Sequence, residues 1–142
     1  MEGKYYSSER SIQLLISLLK QHNIKKIVAS PGATNLSFVA SLQQDSWFEM
    51  YSSVDERSAA YIACGMAAEL GEPVVLTCTG ATASRNYISG LTEAYYRKLP
   101  VLAVTSSQDI SRIGHHIAQV IDRRAIQLSL IHISEPTRRR GI

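Results

Sequence analysis

The sequence predicts an α/β fold, a doubly wound and mostly parallel sheet with helices on both faces. Three observations carry this. Short runs rich in Val, Ile and Leu alternate with longer segments whose apolar residues recur at helical spacing. The clearest run, Val74-Val75-Leu76-Thr77-Cys78, is continuous rather than alternating, as expected of a strand covered on both faces. Turns rich in Gly, Pro, Ser and Thr follow the runs, which suits strand–helix–strand units joined by crossovers.

In chain order, Ser7 or Ser8 is placed to cap a first helix in which Ile12, Leu15, Ile16 and Leu19 share a face, ending near His22-Asn23. Lys25-Lys26-Ile27-Val28-Ala29 reads as a short strand broken by Ser30-Pro31-Gly32. Leu36, Val39, Ala40 and Leu42 mark a second helix, and residues 48–52 a second strand. The segment from Ser53 onward is a third helix with Asp55 as its N-cap and Gly71 as its stop. After the strand at residues 73–78 a single helix is expected over residues 83–98, with Tyr87, Ile88, Leu91, Ala94 and Tyr95 on one side. Pro100-Val101-Leu102-Ala103-Val104-Thr105 is the next strand.

The last residues are set apart. Leu128-Ser129-Leu130-Ile131-His132-Ile133-Ser134-Glu135-Pro136-Thr137-Arg138 matches the translation of a transposase adapter used in preparing DNA sequencing libraries. Residues 128–142 are therefore expected to be non-native, and residues 1–127 to form one domain whose fold is incomplete at its C-terminus. The tail carries Arg138, Arg139 and Arg140 against Glu135, so most of the formal charge of +3 lies there. The remainder is close to neutral, which gives no support for a nucleic-acid partner. No apolar run reaches the roughly 18 residues of a membrane span. The opening Met1-Glu2-Gly3-Lys4-Tyr5-Tyr6 lacks the character of a secretory signal, and Cys64 and Cys78 form no CxxC pair. Buried free thiols in a reducing cytoplasm are expected.

Chemistry concentrates in four turns. Ser30-Pro31-Gly32, Val54-Asp55-Glu56, Thr79-Gly80-Ala81-Thr82 and Ser106-Ser107-Gln108 follow four successive strands, and ligands of such sheets bind beyond the carboxyl ends of the strands. Glu56 stands in the first turn of a helix whose next turns are small: Ala59, Ala60, Ala63, Cys64, Gly65 and Ala67. Taken with Ser30-Pro31-Gly32-Ala33-Thr34-Asn35-Leu36, with the run from Thr77 through Asn86-Tyr87, and with Glu93-Ala94-Tyr95-Tyr96-Arg97-Lys98-Leu99-Pro100, this ordered set resembles the pyrimidine-binding (PYR) domain of thiamine diphosphate-dependent enzymes. The likeness extends to the acetohydroxyacid synthase, menaquinone-pathway synthase and pyruvate decarboxylase types.

The resemblance implies the thiamine diphosphate-binding fold and a set of roles. Glu56 is the expected catalytic residue, its carboxyl hydrogen-bonded to the cofactor's aminopyrimidine so that the thiazolium C2 proton is lost. A dry pocket is needed there, because the N-terminus of the helix favours negative charge. Pro31, Gly32, Thr79, Gly80 and Asn86 are expected to bind the cofactor along with Glu56. His115, His116 and Gln119 are expected to face the substrate, a small 2-oxo acid. The histidine pair resembles the decarboxylases, and Gln119 with Asp122 the carboligases.

No metal ligand is assigned in this chain. It lacks the Gly-Asp-Gly…Asn segment that holds Mg2+ and the diphosphate in the family's PP domain, and it has no GxxxxGK or GxGxxG run. The implied partner is the PP domain of a second subunit, in a homodimer or homotetramer, and the chain by itself is expected to be inactive. The competing expectation is a non-catalytic PYR-like or flavodoxin-like binding module.

Overall fold

The computed structural model describes residues 6–118 and 120. Four strands, β1 (Lys26–Ala29), β2 (Glu49–Ser52), β3 (Val74–Cys78) and β4 (Val101–Thr105), form one sheet in the order β2-β1-β3-β4. Every pairing is parallel. The chain steps from β1 out to β2, then crosses back to β3 on the other side of β1, so the strand order reverses between β1 and β3. In open parallel sheets this reversal opens a crevice at the carboxyl ends of the two strands. The predicted fold class is the observed one.

Among the described residues five helices cover the sheet: α1 (Arg10–Gln21), α2 (Leu36–Gln43), α3 (Glu56–Leu70), α4 (Ala81–Arg85) and α5 (Ile88–Tyr96). Successive strand side chains point to opposite faces, and the core divides accordingly. Ile27 and Val75 join Leu19, Phe38, Leu42 and Phe48 under α1 and α2. Val28, Val74, Leu76 and Cys78 join Ala59, Ala60, Ala63, Cys64, Ala67, Tyr87 and Leu91 under α3 and α5. No described helix is long and apolar enough to cross a membrane.

Local chemistry sets the helix ends. Asp55 caps α3, its Oδ2 accepting the Ser58 N–H at 2.7 Å, and Gly71 ends the helix in the left-handed region at φ 65°. Two expectations need correction. The N-cap of α1 is Glu9, with no side-chain capping bond; Ser7 Oγ instead accepts the Glu9 N–H one step earlier, while Ser7 N–H donates to Ser41 Oγ. The helix expected over residues 83–98 is two helices, α4 and α5, joined at Asn86 and Tyr87. A hydrophobic face keeps its spacing through such a joint, which is why periodicity alone did not reveal it. Neither buried cysteine is in a disulfide, and burial pushes the Cys64 thiol up. Residues 128–142, the suspected adapter translation, lie outside the described residues.

Candidate functional site

The turns after the four strands adjoin one another at the carboxyl end of the sheet. Ser30, directly after β1, donates its N–H to Thr77 O and its hydroxyl to Ser53 O, both at 2.8 Å. It thus ties β1 to β3 on one side and to the β2–α3 turn on the other. Thr34 Oγ1 and Ser106 Oγ lie 2.6 Å apart, joining the β1 turn to the β4 turn. Ser106 N–H donates to Cys78 O at 3.2 Å, closing the last pair of neighbours. A cavity of about 240 Å3 opens beside this bridge, lined by Asn35, Phe38, Thr77 and Ser107 among others.

Asn35 holds the Pro31-Gly32 turn from inside. It is 1% exposed; its Oδ1 accepts the Gly32 N–H at 2.8 Å and its Nδ2 donates to Ser30 O at 3.2 Å. The signal was present in the sequence as an Asn three residues after a Gly that opens a helical turn, where a short polar side chain can reach back to the backbone. Gly32 itself is extended (φ −166°), so its backbone asks for no special residue. Space does: a Cβ on Gly32 would run into Thr79 Cγ2. The β1 and β3 turns therefore touch at this glycine. Pro31 is exposed, whereas Thr79 and Gly80 are buried.

Glu56 is the first residue of α3 and half-buried. Beside it the Asp55 carboxylate is committed to the Ser58 hydroxyl (2.6 Å) and N–H, bonds that hold its pKa below the ordinary value. The Glu56 carboxyl makes no hydrogen bond or ion pair among the described residues. The chain offers a carboxyl group at a capped helix start, next to the strand ends and uncommitted to the fold. The dry pocket expected around it is not built by these residues alone, since the side chain keeps an open side.

The remaining predicted residues are placed differently. Asn86 is exposed and its Nδ2 donates to Thr82 O at 3.4 Å, within its own helical segment. His115 and His116 are exposed after a 3-10 turn at Ile110–Arg112, in a stretch with Gly114 at φ 87° and His116 at φ 54°. No hydrogen bond joins either imidazole to the four turns. Gln119 lies outside the described residues. Sequence reasoning gave Tyr87 only a packing role. It is fully buried, and its hydroxyl finds no hydrogen-bond partner although it lies close to Cys78 and Ser30. Burial, with smaller contributions from Cys78 and Glu56, pushes its pKa far above the usual phenol range, so it stays a protonated donor.

Residues 10–126 match the family described as thiamine pyrophosphate enzyme, N-terminal TPP binding domain. The chain belongs to this family. As a PYR domain it is 38% identical over 116 residues to the 2-succinyl-5-enolpyruvyl-6-hydroxy-3-cyclohexene-1-carboxylate synthase of Porphyromonas gingivalis, an overlap covering 82% of the chain and 20% of the relative. The chain spans about a fifth of the length of the curated relatives it matches. Its fold is shared with the thiamine diphosphate-dependent 4-hydroxybenzoylformate decarboxylase of Rhodococcus jostii RHA1 (TM-score 0.71, 20% identity, 79% of this chain and 21% of that one). Benzoylformate decarboxylase from Polynucleobacter necessarius is similar as well (TM-score 0.70, 22% identity, 82% and 22%).

At the strand ends Glu56 offers an uncommitted carboxyl group, and Gly32 and Gly80 lie in the neighbouring turns without side chains, a donor set that suits an aminopyrimidine ring. Among the described residues no three His, Cys, Asp or Glu side chains come together to hold a metal ion.

Proposed function

We propose that this PYR domain is the pyrimidine-binding half of an enzyme that decarboxylates a 2-oxo acid, joins it to a second carbonyl compound, or does both. The observation that carries this reading is the Glu56 carboxyl, half-buried at the capped start of α3 and without a hydrogen bond or ion pair among the described residues. The helix dipole favours a carboxylate in this first turn whether or not it meets a ligand. What supports a binding role is that this one is half-buried and leaves its hydrogen-bonding capacity unused among the described residues.

In this reading the Glu56 carboxyl is hydrogen-bonded to the aminopyrimidine ring nitrogen, while the Pro31-Gly32 and Thr79-Gly80 turns give the ring close backbone approach. Bound thiamine diphosphate supplies a carbon nucleophile for the 2-oxo carbonyl once its C2 proton is lost. Water is excluded from the open side of Glu56 by the PP domain of a second subunit, which also holds Mg2+ and the diphosphate. A homodimer or homotetramer in the cytoplasm follows, and residues 1–127 alone would turn over no substrate. Asn86 lies further out and would reach the cofactor only from the rim. His115, His116 and Gln119 act later, on the substrate. The relatives' names are those of a synthase, which together with Gln119 favours carboligation.

The test is Glu56→Gln in the assembled enzyme, which keeps size and hydrogen bonding but removes the titrating proton. Deuterium exchange at C2 of bound thiamine diphosphate should slow by roughly two to four powers of ten, with cofactor affinity largely kept. Exchange at the wild-type rate would reduce Glu56 to a helix-end carboxylate.

A further inference from the structure

Tyr87 is a polar group the fold leaves unsatisfied. Its ring fills the core under α3 and α5, a task phenylalanine would perform as well, yet it carries a hydroxyl with no hydrogen-bond partner at 0% exposure. Such a group opposes folding unless another state of the site uses it. Its surroundings indicate the use. Cys78 ends β3 and Ser30 follows β1, so the hydroxyl lies beneath the crevice where the strand order reverses, and it interacts electrostatically with Glu56.

Cys78 and Ser30 both lie near the hydroxyl, and Ser30 is the one bonded to the β2–α3 turn. Its own proton is spent on Ser53 O at 2.8 Å, which leaves the lone pairs of Oγ to receive an O–H. From Ser53 the chain of bonds runs on into the turn that carries the glutamate: Ser53 Oγ donates to Asp55 O at 3.0 Å, and Asp55 caps α3. We propose that Tyr87 is a positioning residue for Glu56: its hydroxyl donates to Ser30 Oγ and, through Ser30 and Ser53, fixes the β2–α3 turn from below. This rests on the proposed role of Glu56 for its catalytic meaning, but the link itself is a property of the chain. With that bond made, the phenol and serine hydroxyls polarise one another.

Tyr87→Phe and Ser30→Ala, each made in the full chain without cofactor, test the link by amide hydrogen exchange. In both variants the amides of residues 53–58 should exchange roughly three- to ten-fold faster, the scale of one neutral hydrogen bond lost. Those of the second half of α3 should be unchanged. The melting temperature of Tyr87→Phe should fall only slightly, on the scale of one neutral hydrogen bond lost while the packing of the ring is kept. In the assembled enzyme Tyr87→Phe should slow C2 deuterium exchange several-fold without weakening cofactor binding. Wild-type protection of residues 53–58 in Tyr87→Phe, or faster exchange spread evenly over the domain, would overturn the proposal. Failure of the Glu56 reading shows separately, as unchanged C2 exchange in Glu56→Gln.

Discussion

The two faces of the sheet are built on opposite principles. Under α1 and α2 the core is made of large side chains, Leu19, Phe38, Leu42 and Phe48, with Trp47 packed against their edge. Under α3 and α5 the buried residues of α3 are all small, Ala59, Ala60, Ala63, Cys64 and Ala67, with Gly90 against Ala60, and the bulk comes from the strands and from Tyr87 and Leu91. Bulk keeps helices away from a sheet, and small residues let them close in. The face that carries Glu56 is therefore the one where the helix backbone lies nearest its neighbours, and the position of the carboxyl is set by backbone contact rather than by long side chains. A side chain held this way has little room to drift. The other face does the ordinary work of removing apolar surface from water.

The contrast makes opposite substitutions harmful on the two faces. The largest effect is expected from Leu42→Ala, which deletes a fully buried side chain from the bulky face. It should lower stability by about 2–5 kcal/mol, measured by urea denaturation. Gly90→Ala is the counterpart on the small-residue face. A Cβ there would lie 2.5 Å from Ala60 Cβ and 3.1 Å from the Ala60 carbonyl carbon. Alanine's better helix propensity is worth about 1 kcal/mol. The clash with α3 backbone outweighs it, because that backbone cannot step aside as a flexible side chain would. A net loss of about 1–3 kcal/mol is expected, with faster amide exchange along α3. Gly90→Ala proving neutral would show that the close packing of α3 and α5 is not what fixes Glu56.

The smallest effect concerns the start of α3. Asp55 has its pKa lowered by the Ser58 hydroxyl and N–H, so its contribution is fully present above the unfolded-state value of about 4. The contribution is lost as the pH falls through the lower folded-state value. Asp55→Asn should therefore lower the melting temperature slightly at pH 7. The gap to wild type should close in strong acid, as a pH series of thermal melts would record. A gap independent of pH would mean that shape rather than charge makes the cap.

The alternation of elements was readable because each element announces itself by period, and the parallel sheet follows from their order. The capped start of α3, with Glu56 as its first residue, was readable because Asp55, the glutamate and the alanine run stand together in sequence. Asn35 and Tyr87 were not singled out. Asn35 gains its importance from Gly32 and Ser30 across a turn, and Tyr87 from strands that the sequence does not show as neighbours. The break between α4 and α5 was hidden for a related reason, since Tyr87 and Leu91 keep helical spacing across it. Short-range pattern gives elements, whereas a site assembled from four turns depends on pairings that only the folded sheet defines.

Those pairings carry a consequence for how the chain finds its fold. Lys26 pairs with Glu49, twenty-three residues on, and also with Val74, forty-eight residues on. A parallel sheet has no hairpin to start from, so every pairing must close a long loop before its contacts offset the lost chain freedom. The β1–β3 pairing beneath the crevice closes the longest of them. At equilibrium the extra length is a minor matter, about 0.6 kcal/mol for a doubling. During folding it matters more, because the β1–β3 contacts must close the loop that holds α2, β2 and α3.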